Sequence, residues 1–213
     1  MRYFTGKNEE EALLNALKEE NCERKDFTYA VISEEKHLFG IGNTVTIEGF
    51  SNADIKEFIF DYLGSYFTDL NLPTSIEIFV DNEGFRVVLD SDNNAVIIGR
   101  GGQTLRAINM VLRSAINTEF SSEKIRSRFK VTVDVNNYRE DRYRKLKSVA
   151  IKVAKEVSRT HIDASLDPMP NDERKIIHQC LGDFKHIATN SIGEGKDRHI
   201  VIRYIEDNET KEA

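Results

Sequence analysis

The sequence predicts an α+β protein built from three small modules. Residues 55–70 place apolar side chains at helical spacing, which predicts a long amphipathic helix. Segments such as SIEIFVD and FKVTVDV alternate apolar and polar residues, which is typical of half-buried strands. Only three prolines occur in 213 residues, so we expect the modules to abut without long linkers. The predicted modules are 1–50, 51–136 and 137–205, followed by an acidic tail at 206–213.

The first module is predicted to contain one helix and several strands. Asn8 can cap a helix that carries Ala12, Leu13, Ala16 and Leu17 on one face. The β-rich stretches FTYAVIS and TVTIEGF follow, on either side of a turn-like FGIGN segment. Glutamates on such a helix more often mark a solvated face than a binding site.

The second module is predicted to begin with the amphipathic helix. Ser51 and Asp54 have capping-box spacing at its start, and Pro73 follows its end. Two strands come next, joined by a turn at residues 82–84. A short helical piece, NNAVIIG, runs into a glycine-rich turn, after which a long helix and the strand RFKVTVDV complete the module. The predicted order is therefore α-β-β-α-α-β.

The third module is predicted to begin with a basic helix over about residues 138–160. The stretch SLDPMP breaks this helix, and a second helix, NDERKIIHQCLG, follows. Two strands, HIATNSI and RHIVIRYI, are predicted around a turn at residues 193–195.

The charge is distributed unevenly along the chain. The net charge is −6 overall, but residues 1–72 carry −7 and residues 137–205 carry +4. Affinity for a polyanion depends on a local basic face rather than on the total charge. A nucleic-acid-binding face is therefore expected in the C-terminal third.

The residue patterns favour a binding protein over an enzyme. Cys22 and Cys180 lie far apart, which argues against a disulfide framework and against a CxxC metal site. No HExxH or GxSxG pattern occurs, so we predict no catalytic residue, no metal site and no cofactor. No apolar stretch is long enough to span a bilayer, and the acidic N-terminus excludes a signal peptide. We therefore expect a cytoplasmic protein without membrane insertion.

The segment VIIGRGGQTL has the sharpest local pattern in the chain. Its glycines lack Cβ atoms, so a nucleic-acid backbone can approach closely. The helix that follows leaves backbone N–H groups unpaired at its start, which favours an anion, and Arg100 adds a positive charge. A simple helix–helix turn is the alternative interpretation. We expect four apolar residues to form the base of a groove for unstacked bases: Val96, Ile97, Ile98 and Leu105.

The spacing of this segment excludes two other phosphate-binding patterns. The P-loop and the GxGxxG fingerprint both require a glycine where Thr104 stands. With the α-β-β-α-α-β order, the loop instead resembles the GxxG loop of a bacterial type II KH domain, which clamps single-stranded nucleotides. Bacterial KH loops often have two basic middle residues, whereas the second is Gly101 here. The resemblance implies RNA contacts at Ile98, Gly99, Arg100, Gly101, Gly102, Gln103 and Thr104.

A second candidate surface lies in the third module. Arg174 and His178 are four residues apart and share one face of the predicted helix, where both can contact phosphate. The alternative is that the pair ties this helix to the basic helix beside it. An RxxxH pair after a basic helix and SLDPMP resembles the R-three-H domain, which binds single-stranded nucleic acid. The candidate contact residues are Arg139, Arg142, Arg174, His178 and Arg198.

The order of modules resembles the Jag family, also called KhpB or EloR, over essentially the whole chain. Phe39-Gly40-Ile41-Gly42 is similar to the glycine-rich stretch of the Jag N-terminal domain. The resemblance implies a bacterial cytoplasmic RNA-binding protein linked to cell elongation, division and sporulation. It also implies a link to the membrane-protein insertase and assembly with itself or with a small single-KH protein. Many members have a long charged linker where Phe50 here runs directly into Ser51.

Two functional hypotheses follow from these observations. In the first, the chain is a post-transcriptional regulator that clamps single-stranded RNA, or single-stranded DNA, with the glycine loop and the Arg/His helix. In the second, it is a protein-interaction scaffold at the insertase or cell-wall machinery, with RNA binding secondary. The acidic first module favours some protein contact. Catalysis has the least support, because nothing in the sequence orients a nucleophile or a base.

Overall fold

A computed structural model describes residues 1–36, 43–81, 83–126 and 129–206. The chain divides after Asn136 into two compact units, Met1–Asn136 and Asn137–Ala213. Both units mix helices with three-stranded sheets, so the α+β prediction is confirmed. The first two predicted modules lie together in the first unit, and the boundary at residue 50 stays a prediction. Among the described residues, no helix is long and apolar enough to cross a membrane.

The N-terminal part of the first unit is a helix packed on a small sheet. Asn8 caps the helix as predicted, because its side chain accepts a hydrogen bond of 2.8 Å from the backbone N–H of Glu11. Ala12 and Ala16 are fully buried in the core under the sheet. The FGIG segment at 39–42 lies outside the described residues. The elements are β1 (Arg2–Gly6), α1 (Glu9–Glu19), β2 (Phe27–Lys36) and β3 (Asn43–Ser51), with β3 in the centre of an antiparallel sheet.

Ser51 joins this sheet to the rest of the unit. It is the last residue of β3 and also the N-cap of α2 (Asn52–Asp69), where the predicted capping box with Asp54 is present. The neighbouring Phe50 packs edge-on against Phe120 and Phe129, with ring centroids 4.9 and 5.7 Å apart. The joint is therefore a packed aromatic cluster rather than a linker.

The rest of the first unit has the predicted α-β-β-α-α-β order. After α2 come β4 (Thr74–Asp81), β5 (Gly84–Ser91), α3 (Asn94–Ile98), α4 (Gln103–Glu119) and β6 (Val131–Val135). The sheet order is β4-β5-β6, in which β4 is antiparallel and β6 is parallel to β5. Gly84 has a φ of +125°, and a Cβ there would collide with the carbonyl of Lys130. This explains why glycine begins β5.

One buried side chain, Asn109, holds α4 against the outer edge of β6. Its amide donates to the carbonyls of Leu105 (2.9 Å) and Val133 (2.8 Å), and its side-chain oxygen accepts from the N–H of Val133 (2.7 Å). Arg113 donates to the carbonyl of Val131 at 3.1 Å. Side chains of α4 thus take the place of a neighbouring strand, which satisfies backbone groups that a sheet edge leaves open.

The second unit is two helices packed on a small sheet. Its core contains the fully buried residues Ala150, Ala154, Ile177, Ile200 and Ile202. The basic helix ends at Thr160, where His161 adopts the left-handed conformation with a φ of +60°. The elements are α5 (Tyr138–Thr160), β7 (Ala164–Ser165), α6 (Asn171–Leu181), β8 (Ile187–Ile192) and β9 (His199–Tyr204), with β9 in the centre of the sheet.

Replacing Asn109 tests the link between α4 and β6. Asn109→Ala should lower the free energy of unfolding by about 2–4 kcal/mol, because two backbone groups of Val133 lose their partners inside the protein. Asn117→Ala is the matched control on the same helix, since Asn117 is half-buried and accepts from only one backbone group, the N–H of Phe129. It should cost about 1 kcal/mol. Denaturant unfolding measures both values, and equal losses would contradict the account.

Candidate nucleic-acid-binding surfaces

The glycine loop between α3 and α4 turns within four residues. Gly99, Gly101 and Gly102 all have positive φ, at 69°, 57° and 76°. A Cβ on Gly99 would collide with the side chain of Thr104, and Gly102 is buried. Gly101 is exposed, and a Cβ there would meet no other atom. All three glycines therefore suit the shape of the loop through their positive φ, and Gly101 also leaves space in front of the backbone.

Two exposed polar side chains flank this open position. Arg100 lies at the tip of the loop and makes no ion pair with any residue in the described part of the chain. Gln103 begins α4 and is also exposed. Arg106 donates from Nη2 to the carbonyl of Gly101 at 2.7 Å, so that this carbonyl oxygen has a partner within the loop. The N–H groups of Gly102 and Gln103 already donate to the carbonyls of Gly99 and Arg100. The start of α4 thus offers the positive end of the helix dipole and the exposed charge of Arg100.

The apolar surface beside the loop is smaller than the sequence suggests. Val96 is 51% exposed and Ile98 is half-buried, so both are accessible. Ile97 and Leu105 belong to the core, with 1% and 4% of their surface exposed. The prediction that all four residues floor a groove is wrong for Ile97 and Leu105, because neighbouring positions of a helical turn point in different directions.

In the second unit, Arg174 points inward. Only 9% of its surface is exposed. Its Nε donates to the carbonyl of Met169 at 3.3 Å, and its Nη1 donates to the hydroxyl of Ser191 on β8. The RxxxH arginine thus ties α6 to β8 and to the chain before α6, rather than to the basic helix α5.

His178 makes the next contact between α6 and β8. Its Nδ1 lies 2.7 Å from the hydroxyl of Thr189. Burial lowers the pKa of His178, and the positive charge of Arg174 lowers it further. The imidazole is therefore held in its neutral form more strongly than a solvated histidine.

Arg198 contacts the same strand. It immediately precedes β9, its side chain is exposed, and its Nε donates to the hydroxyl of Ser191 at 3.1 Å. Ser191 therefore accepts hydrogen bonds from both Arg174 and Arg198. The structure brings Arg174, His178 and Arg198 together along β8, through Ser191 and Thr189.

The two candidate arginines of α5 are half-buried beside packing contacts. Arg142 makes a two-pronged ion pair with Glu173, at 3.2 and 3.1 Å, and the Glu173 side chain is only 3% exposed. The hydrogen bond from Arg142 to Glu173 is the largest cause of the raised pKa of Arg142. Arg139 is half-buried close to Tyr143, so that its charge acts on the tyrosine. Arg142 thus has a structural task, which is to hold α5 against α6.

A neighbouring contact strengthens this junction of α5 and α6. The hydroxyl of Tyr143 donates to Asp172 at 2.9 Å. Burial raises the pKa of Tyr143 to about 12, with the carboxylate of Asp172 adding to the effect. Tyr143 therefore serves the packing of α5 on α6.

Sequence reasoning missed Ser191 and Thr189. Both side chains accept or share hydrogen bonds with the RxxxH residues, and both lie on one face of β8 because they are two positions apart. The alternation in IATNSI could have indicated these contacts. The strand face that begins with the apolar Ile187 continues with two hydroxyl residues, Thr189 and Ser191.

Comparison with known proteins identifies two parts of the chain. Residues 144–204 match the R-three-H domain, and residues 4–48 match the Jag N-terminus. These matches flank the α-β-β-α-α-β segment and define a multidomain protein with an R-three-H domain at its C-terminal end.

Relatives similar to nearly the whole chain extend this result. One is the RNA-binding protein KhpB of Clostridium symbiosum, 32% identical over 96% of this chain and 91% of the relative. Another is the RNA-binding protein KhpB of Bacillus subtilis (strain 168), 31% identical over 93% of this chain and 96% of the relative. KhpB of Lactiplantibacillus plantarum is 31% identical over 67% of this chain but only 42% of its own length. The chain belongs to the Jag (KhpB) family.

The lowered pKa of His178 predicts a pH-dependent contribution to stability. As pH falls through about 6.5, the unfolded chain takes up a proton at His178 before the folded chain does, so the folded state loses stability. Unfolding free energies of the natural protein and of His178→Gln should therefore differ by an amount that shrinks as pH falls through that value. A difference that is constant with pH would contradict the assignment.

Proposed function

We propose that this chain is a non-catalytic, RNA-binding regulator that holds single-stranded RNA at two separate surfaces. The observation that carries the proposal is the glycine loop, where a free arginine and an open backbone position precede a 17-residue helix. The names of the two relatives that match nearly the whole chain, both RNA-binding proteins, support the same function. Single-stranded DNA has the same phosphate chemistry and is the alternative ligand.

At the first surface, the loop acts as the GxxG clamp of a KH domain. The N–H groups at the start of α4 and the guanidinium of Arg100 contact the phosphates, while Gly101 gives the backbone of the RNA room to approach. Ile98 and Val96 provide the accessible apolar contact beside it. Gly99, Gly102 and Thr104 set the shape of the loop, and Gln103 adds a polar contact.

At the second surface, the R-three-H domain contacts phosphate mainly through Arg198. Its guanidinium is exposed, whereas those of Arg174 and Arg142 are engaged in hydrogen bonds inside the unit. The exposed lysines of α5 extend the positive surface: Lys145, Lys147, Lys152 and Lys155. His178 and Arg139 support this surface from partly buried positions.

The cellular role proposed here is the one that the family resemblance implies. It is post-transcriptional regulation in the bacterial cytoplasm, linked to cell elongation, division or sporulation. The scaffold hypothesis remains the alternative, with the net charge of −7 on residues 1–72 as its support. The two hypotheses differ in whether loss of RNA binding also removes the regulatory effect.

We also propose that the 51–136 module pairs with a second copy or with a small single-KH protein. An apolar groove of about 580 Å³ lies between α2 and α4. Tyr62, Tyr66 and Val111 line it and are 37%, 40% and 47% exposed. An exposed aromatic groove of this kind is typical of interaction surfaces.

The variant Arg100→Asp with Gly101→Asp tests the loop. Two carboxylates would repel phosphate and fill the open position, so affinity for single-stranded RNA should fall more than about tenfold. Arg100→Asp should change stability little because Arg100 is exposed, whereas an aspartate at Gly101 takes a positive φ and should cost about 1 kcal/mol, which leaves the protein folded. Fluorescence anisotropy with a labelled oligoribonucleotide measures the affinity. Undiminished binding by a folded double variant would refute the clamp.

The variant Val111→Glu tests the pairing. It places a charge in the apolar groove and should shift the protein to monomer in sedimentation velocity, because an unpaired charge is costly to bury. Thr118→Glu is the control, on the same helix, exposed and outside the groove, and should leave pairing unchanged. A natural protein that sediments only as a monomer and retains no single-KH partner would contradict the proposal.

A further inference from the structure

Two guanidinium groups share one hydroxyl at the end of β8. The Nη1 of Arg174 and the Nε of Arg198 both donate to the oxygen of Ser191. A serine hydroxyl has two acceptor lone pairs and one O–H. With both lone pairs occupied, the O–H of Ser191 must point away from the two arginines. No residue in the described part of the chain accepts a hydrogen bond from it.

Two positive charges meet at this hydroxyl. Among the described residues, no carboxylate oxygen lies within 4 Å of a charged nitrogen of Arg174 or Arg198. Elsewhere in this unit arginines do pair with acids, as Arg142 does with Glu173 and Arg203 with Asp163. Two guanidinium groups that make no ion pair with a described residue, together with an O–H that has no acceptor among those residues, favour an anion in front of Ser191.

Only one of the two arginines can reach such an anion. Arg174 is 9% exposed, and its Nε and Nη1 are both engaged. Arg198 is exposed, and its hydrogen bond to Ser191 uses Nε, so that its two Nη groups make no hydrogen bond with any described residue. Arg174 thus holds the hydroxyl of Ser191 in place, and this hydroxyl in turn holds the side chain of Arg198.

We propose that Arg174 is a positioning residue that acts on nucleic acid through Ser191 and Arg198, and that the Ser191 hydroxyl itself donates to the same phosphate. The inference rests on the proposed RNA-binding function and assigns the contacts within its second surface. Arg174 holds Ser191 so that the Arg198 fork and the Ser191 O–H converge. An arginine is required because its planar fork bonds both the Met169 carbonyl and Ser191, which a lysine ammonium does with less fixed geometry.

The serine provides the simplest test. In the full chain, Ser191→Ala should weaken binding of a labelled single-stranded oligouridine by about tenfold, since it removes one donor and releases Arg198. Ser191→Thr keeps the hydroxyl and should bind like the natural protein. If Ser191→Ala binds as tightly as Ser191→Thr, the proposal is overturned.

A double-mutant comparison tests the role of Arg174. Arg198→Ala should weaken binding and flatten the dependence of log affinity on log salt by about one unit, with the melting temperature unchanged. Arg174→Lys should flatten the salt dependence in the same way, although its charge is kept. In the Arg198→Ala background, Arg174→Lys should flatten the salt dependence no further, because only the uncharged Ser191 hydroxyl is still positioned by Arg174. A second flattening of equal size there would show that Arg174 acts independently of Arg198.

The outcomes separate this inference from the proposed function. If the natural protein shows no salt-dependent RNA binding, the proposed function itself fails. If Arg198→Ala flattens a clear salt dependence but Ser191→Ala and Arg174→Lys bind like the natural protein, only the positioning role fails. If Arg174→Lys does not fold, the comparison of Ser191→Ala with Ser191→Thr decides alone.

Discussion

The sharp turn at Gly99–Gly102 is the constraint on which most of the first unit depends. The chain must leave α3 and begin α4 within four residues, and three of them take positive φ, which side chains with a Cβ resist. The direction of α4 then decides whether Asn109 reaches the edge of β6. The same turn exposes the start of α4 to solvent. One backbone constraint therefore sets both the packing of the helix and the surface that we propose for RNA.

The positive side chains divide into those that maintain the fold and those that are open to a ligand. Arg142 and Arg174 hold α6 against α5 and β8, and each loses exposure in doing so. Arg100 and Arg198 keep exposed guanidinium groups beside backbone or hydroxyl donors. A net charge of +4 over residues 137–205 therefore overstates what a phosphate can contact. The number of exposed charges, rather than the total, determines the strength of the electrostatic attraction.

Local signals in the sequence were sufficient for the elements but not for the partners of individual side chains. The cap at Asn8, the capping box at Ser51 and the order of the second module follow from neighbouring residues and are present in the structure. The burial of Arg174 and the ion pair of Arg142 could not be predicted, because their partners lie 17 and 31 residues away along the chain. Asn109 was missed for the same reason, since its partner Val133 belongs to another element. The spacing of apolar residues shows which face of a helix is buried. Only the packed fold shows which polar side chains are buried with that face and which groups they bond.

The central claim is that phosphate contacts by exposed positive groups hold single-stranded RNA on this protein. The most direct measurement is the affinity of the full chain for a single-stranded oligoribonucleotide as a function of salt concentration. The account predicts that log affinity falls linearly with log salt, with a slope of about −0.7 for each phosphate contact. Binding that does not change with salt, or no binding at low salt, would contradict the claim and favour a protein scaffold.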